Sequence, residues 1–223
     1  MLVLLLANIV LLTISLVICF IYLHRQSCHE IFQTKYPRVL LSEVYPLLKT
    51  GDIVLFNPAI DSSFISSVLN KKFAHSGVVI QIKEDLFLAE KSIARKVSID
   101  IPAGATLLPL LPVLKTYPGT FSIMPLKNPL SAKQNELIVN EAMSMIGATY
   151  PTTLDIVVKT FLRMPSLHCF DYVAHLLRTG QLDIPVLDSY HICEFIINLP
   201  DQKDQYRPIY DVLYDIDVSH PEV

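Results

Sequence analysis

The sequence predicts one mixed domain of strands and helices behind an apolar N-terminal segment, and three observations predict it. Strand-like runs crowd residues 53–126, capped helical patterns follow at 131–146 and 166–180, and residues 2–23 carry no charge. With 223 residues, 52% of them apolar, the chain can build one core of ordinary size, and a second full domain is not expected. A formal charge of −3 offers no basic surplus, so no nucleic-acid partner is expected either.

Taken in order, the 22 residues 2–23 are interrupted only by Asn8, Thr13, Ser15 and Tyr22, and a bilayer span takes roughly 20. No Lys or Arg precedes the run and no small-x-small site follows it at Phe20-Ile21-Tyr22-Leu23, so residues 1–24 read as an uncleaved anchor and not as a cleaved signal peptide. Arg25, Lys35 and Arg38 all follow the span, which places a single-pass protein with its body on the cytoplasmic side. The absence of Asn-x-Ser/Thr sites and the scatter of Cys19, Cys28, Cys169 and Cys193 agree with that side. Cys28, just past the span, is either an acylation site or a spare thiol.

Residues 25–39 are mixed and polar and read as a stalk. The body, 40–199, opens with the turn Thr50-Gly51-Asp52 into the apolar run Ile53-Val54-Leu55-Phe56, a buried strand stopped by Asn57-Pro58. Asp61-Ser62-Ser63 caps a short helix to Leu69. Residues 76–82 and 85–90 form a hairpin about Lys83-Glu84, and the alternation of 96–101 adds a further strand. Residues 102–118, broken by Pro109 and Pro112, read as an irregular connection, and 120–126 as another strand.

The clearest helix spans 131–146: Ser131 and Gln134 make a capping box, Leu137, Ile138, Ala142, Met145 and Ile146 form one stripe, and Gly147 closes it. A helix capped by Ser166 carries Cys169 at its third position and ends at Gly180. A last helix near 189–199 precedes an acidic, tyrosine-bearing tail, 200–223, expected to be loosely held.

Chemistry concentrates on three residues. A thiol attacks only as thiolate, and the first turn of a helix beside an imidazole favours that form. Cys169 has the helix start, and His75 opens a strand. A two-residue turn at Lys83-Glu84 sets Gly77 opposite Glu90 and makes His75 and Glu90 diagonal neighbours on one face, whereas a one-residue slip would separate them. In contact, Glu90 would orient the ring as the third member of a triad does. Singly, each has a plainer reading: Cys169 as a small core residue, His75 as a satisfied strand-end histidine, Glu90 as the first solvated residue of its strand.

Thr50-Gly51-Asp52-Ile53-Val54-Leu55-Phe56, then His75-Ser76-Gly77-Val78-Val79-Ile80, then Leu88-Ala89-Glu90, then a helix-borne Cys169 resemble the circularly permuted branch of the NlpC-type papain-like cysteine hydrolases. That branch includes the YiiX/YaeF-like proteins, a poxviral group and, more distantly, the lecithin:retinol acyltransferases, and the histidine precedes the cysteine in it as here. The resemblance covers roughly 48–195. It implies an α+β fold with the cysteine-bearing helix packed on an antiparallel sheet, and cleavage or transfer of amide, ester or thioester acyl groups. Carried onto this chain, Cys169 is the nucleophile, His75 the base and later the acid, and Glu90 the orienter. The oxyanion rests on backbone donors at the helix start, with Tyr150 nearby, and Ser76 and Gly77 lie beside the histidine as further substrate-contacting or oxyanion candidates. Asp52 matches the family's Gly-Asp position, where a structural role near the cleft and a catalytic one are both open.

The chain departs from many relatives in following its cysteine with Phe170, and in preceding it with His168, from which a cleft mouth that is narrower or more apolar is expected. Peptide, lipid and lipidated substrates all remain open. No cofactor is expected. His168, Cys169, His175, His191 and Cys193 are of ligand type, but no Cys-x-x-Cys or His-Glu-x-x-His spacing supports a metal. No phosphate-cradling glycine loop or Gly-x-Ser-x-Gly elbow is present. The expectation is a membrane-anchored cysteine hydrolase acting through an acyl-enzyme. An acyltransferase on the same site and a non-catalytic tethered binding protein that keeps the fold are the alternatives.

Overall fold

The computed structural model describes residues 15, 36–57, 73, 75–92, 95–96, 100–152, 169–184, 206 and 208–214. Among them the chain is mixed α+β. Nine strands are β1 (Arg38–Leu40), β2 (Ile53–Phe56), β3 (His75–Ile82), β4 (Asp85–Ser92), β5 (Arg95–Lys96), β6 (Asp100–Ile101), β7 (Gly104–Pro109), β8 (Phe121–Met124) and β9 (Tyr210–Leu213). Four α-helices are α1 (Leu41–Val44), α2 (Leu110–Thr116), α3 (Ala132–Ser144) and α4 (Cys169–Thr179). Seven strands form one sheet in the order β1-β9-β8-β2-β3-β4-β7, antiparallel except for the β1–β9 pair, and β5 with β6 make a small second sheet.

Both faces of the large sheet are covered, so its central strands are apolar on both sides. On one face Ile53, Leu55, Val78, Ile80 and Ala89 pack against α3 and α4. On the other, Val54, Phe56, Val79, Leu88 and Ile123 pack against α1 and α2. In α4, Cys169, Phe170, Tyr172, Val173, Ala174, Leu176 and Leu177 are buried, leaving Asp171, His175 and Arg178 as its polar stripe. Helix α3 lies outside it and buries Ile138 and Ala142; His175 Nε2 and Glu141 Oε1, 2.6 Å apart, join the two helices.

The capping box stands, with the Ser131 side chain accepting from the Gln134 backbone N–H at 3.3 Å, but Ile146 is 55% exposed and leaves the predicted stripe. Gly180 does not supply the left-handed residue that ends α4. Gln181 does, with φ 60°, and the Leu182 N–H to Leu177 carbonyl and Gln181 N–H to Arg178 carbonyl bonds complete a Schellman motif. Gly180 is required by packing: a Cβ there would lie 2.4 Å from Ile138 Cδ1.

Four sequence expectations change. Residues 102–118 are no irregular connection but β7 followed by α2; leucines on both faces hide the alternation of β7, and Pro112 falls in the first turn of α2, where no intrahelical N–H is needed. The single strand expected over 96–101 is replaced by the short β5–β6 pair. In the predicted tail, Tyr210–Leu213 form β9, seated between β1 and β8 with Val212 buried. In the predicted stalk, Arg38–Leu40 form β1, parallel to β9. The helices expected near 61–69 and 189–199 and the Ser166 cap lie outside the described residues, as does the run 2–23 apart from Ser15. Among the described residues no helix is long and apolar enough to cross a membrane.

Candidate active site

The site grows from the β3–β4 hairpin. Lys83 takes φ 57° in the turn, and the register runs from Ile82↔Asp85 to Gly77↔Glu90, the pairing a two-residue turn at Lys83-Glu84 dictates. His75 is the first residue of β3, past the last rung. It shares a face with Gly77 and Glu90, and its Nε2 lies 2.7 Å from Glu90 Oε2. Position 77 has no room for a side chain, since a Cβ there would stand 2.7 Å from Leu88 Cδ1 and 3.1 Å from the Ala89 carbonyl oxygen. Phe56, the register partner of His75, holds the ring with centroids 5.5 Å apart. The Phe56 ring is itself backed by Tyr117, whose hydroxyl donates to the Asn57 carbonyl.

Helix α4 covers the opposite face, and its Cys169 side chain meets the His75 ring in a hydrogen bond. With Nε2 taken up by Glu90, Nδ1 is left to face the sulfur. Burial disfavours the charged ring, but the Glu90 carboxylate and Cys169 outweigh it and push the His75 pKa up to about 9. The imidazole is therefore protonated at neutral pH. His75 is 13% exposed and Glu90 fully buried, so little water screens the pair.

Tyr150 arrives by a separate route. After α3, Gly147 with φ 82° turns the chain, and residues 147–148 lie along the edge of β7, with the Gly147 N–H donating to the Ala105 carbonyl at 2.8 Å and the Ala105 N–H to the Ala148 carbonyl at 2.9 Å. Tyr150 is thereby carried to Cys169, where its hydroxyl hydrogen-bonds both the side chain and the backbone of that residue. Burial foremost, with Cys169 beside it, holds the phenol well above its usual range, so the hydroxyl keeps its proton and remains a donor.

Cys169, His75, Glu90 and Tyr150 are thus brought together, and Gly77 with them. Asp52 is not. It precedes β2 at the far end of the β2–β3 ladder, where its carbonyl accepts from the Val79 N–H, about 13 Å along β3 from His75. Its buried carboxylate accepts from the Lys49 N–H at 2.9 Å and the Leu126 N–H at 2.7 Å, fastening the turn into β2 to the end of β8. Ser76 is fully buried on the face covered by α3 and α4, opposite to that of His75, and its hydroxyl has no partner among the described residues. Two residues that the sequence reading passed over flank Glu90: Thr106 is its register partner on β7, and Ser92 lies two residues along β4. Thr106 falls in the stretch mistaken for a connection, and Ser92 just past the end of the strand expected over 85–90. Among the described residues no group of three or more His, Cys, Asp and Glu side chains is arranged to hold a metal.

No protein-family model and no curated protein matches the chain. Among solved structures it is similar to the crystal structure of metalloprotein yiiX from Escherichia coli O157:H7, with 15% identity and a TM-score of 0.45, over 62% of this chain and 70% of that one.

Proposed function

We propose that the chain is a papain-like cysteine hydrolase that cleaves amide, ester or thioester bonds through an acyl-enzyme on Cys169. The observation that supports it best is a buried imidazole with one nitrogen 2.7 Å from a buried carboxylate and the other left to a cysteine that opens the described helix. The Cys169 sulfur, held as thiolate beside the protonated His75, attacks the carbonyl carbon and the π electrons move to the oxygen. The Tyr150 hydroxyl, which bonds both the side chain and the backbone of Cys169, and the Cys169 backbone N–H are the donors at hand for that oxyanion. His75 gives its proton to the leaving nitrogen, oxygen or sulfur as the bond to carbon breaks. It then takes a proton from water as the hydroxide adds to the acyl carbon, and collapse of that adduct releases the acid and returns Cys169 as thiolate beside the protonated His75. Glu90 keeps the ring in one orientation throughout.

If water is excluded and a second acceptor admitted, the same steps transfer the acyl group. We further read residues 2–23 as a single membrane anchor with the domain on the cytoplasmic side, a setting that suits peptide, lipid or lipidated acyl substrates at a membrane surface.

The test is the rate of Cys169 alkylation against pH in the full-length chain in detergent, with Cys19, Cys28 and Cys193 replaced. An apparent pKa well below the ordinary value of about 8.5, restored toward it by His75→Ala, is expected. A thiol that titrates normally and ignores His75 moves the reading to a non-catalytic binding protein.

A further inference from the structure

We infer that the apolar groove around Leu47 is a membrane-docking surface, seated on the headgroup–acyl boundary of a bilayer; the placement rests on the reading of residues 2–23 as a membrane anchor.

The groove holds about 420 Å³ and lies beside β1, the edge strand of the large sheet. Its walls are mostly apolar, Val39, Val44, Leu126 and Ile209 among them, and Leu47 on its rim is 74% exposed. Leu40 and Leu213, register partners on β1 and β9, are exposed along the same edge. A leucine left in water forgoes the burial that its side chain favours, and several of them beside a groove mark a contact surface.

The covalent path points to lipid as the occupant. The apolar run ends at Leu23, and only the 12 residues 24–35 separate it from Tyr36. Fully extended, that stretch reaches roughly 45 Å. It joins the folded part at Pro37, itself a wall of the groove, so the groove lies on the face that a short tether turns to the bilayer. Tethering holds the lipid surface at an effective concentration of about millimolar, which lets a contact of a few side chains suffice. Arg38 and Lys49 at the groove, with Arg25 and Lys35 in the connecting stretch, carry the sign that an anionic cytoplasmic leaflet attracts. The two acids of the lining are occupied within the protein: Glu43 accepts from the Leu40 N–H at 3.3 Å, and Asp52 from the Lys49 and Leu126 N–H groups. Asp52 precedes β2 and Phe56 at its other end pairs with His75, so the groove and the catalytic residues are at opposite ends of that strand.

The test uses the full-length chain, its four cysteines replaced, in vesicles of phosphatidylcholine and phosphatidylserine with acyl chains brominated near the headgroup. A dye on Leu47→Cys or on Pro208→Cys, both at the groove, is expected to be quenched by the brominated lipid. A dye on Ile146→Cys, 55% exposed just past α3, which covers the other face of the sheet, is expected to escape quenching. Leu47→Asp, read by the dye on Pro208→Cys, should lower the ratio of docked to undocked domain about tenfold or more, and Leu47→Phe should keep it. Groove dyes quenched no more than the dye at 146, on a chain that floats with the vesicles, would overturn the inference and leave the anchor standing. Groove dyes shielded from water without lipid quenching, and more so at higher protein concentration, would give the groove to a second copy and overturn it likewise. A chain that does not float with the vesicles would overturn the anchor reading, and this placement with it.

Discussion

Glu90→Gln isolates the charge that holds the histidine. The substitution keeps shape and hydrogen-bonding capacity at a fully buried position and removes only the negative charge 2.7 Å from His75 Nε2. In the native protein the ring is pushed up from 6.5 to about 9, burial opposing and Glu90 and Cys169 favouring the charged form. That rise of about 2.5 units corresponds to about 3 kcal/mol of preference for the imidazolium in the folded state. A hydrogen bond to a charged partner contributes about 1.5–3 kcal/mol, so loss of the Glu90 charge should lower the His75 value by about one to two units. Because the folded value lies above the unfolded one, this stabilisation is fully present below about pH 6.5 and is lost as pH rises through about 9. In Glu90→Gln the loss should begin at lower pH and the total should be smaller. NMR titration of the His75 ring, paired with denaturation midpoints from pH 6 to 10, reads both quantities. A ring titration that overlays the wild type would refute the reasoning, because Glu90 would then not be what holds the proton on His75.

Three further outcomes follow from the same geometry. Tyr150→Phe removes a hydroxyl that donates to Cys169 and should lower kcat about 10²–10³-fold and move the pH profile of Cys169 alkylation upward; unchanged kcat on an acyl substrate would remove Tyr150 from the oxyanion site. Asp52→Asn, at a carboxylate that accepts two backbone N–H groups, should cost about 2–3 kcal/mol in denaturant unfolding while activity per folded molecule stays constant, and a selective loss of activity would contradict its structural role. Gln181→Gly relieves a non-glycine residue at φ 60° and should raise unfolding stability by up to about 1 kcal/mol, measurable as a higher urea midpoint with the same slope.

Local sequence carried much of the site. The turn length at Lys83-Glu84 sets the strand register, and the register alone makes His75 and Glu90 diagonal neighbours, because strand side chains alternate with period two. The Ser131–Gln134 box starts α3 through contacts spanning three residues. Such features are legible because a short turn or a single helical turn fixes which residues meet, at a separation of three positions in the capping box and fifteen in the hairpin. Residues 104–109 were not legible: a strand covered on both faces loses its polar alternation, and its identity comes from pairing with β4.

What the chain alone determined, then, was the kind of chemistry on offer: a thiol, an imidazole and a carboxylate, two of them tied by a hairpin. Tertiary structure decided what lies around them. It seats β9, whose residues follow α4 by about thirty positions, between β1 and β8, because an edge strand must find a partner and no local pattern names which. It brings Tyr150 to Cys169 along the edge of β7, sets Thr106 opposite Glu90, and spends Asp52 on two backbone N–H groups far from the thiol. Each of these is a long-range pairing. Such pairings are chosen by the burial and hydrogen bonding of the whole sheet, which no short window of sequence contains.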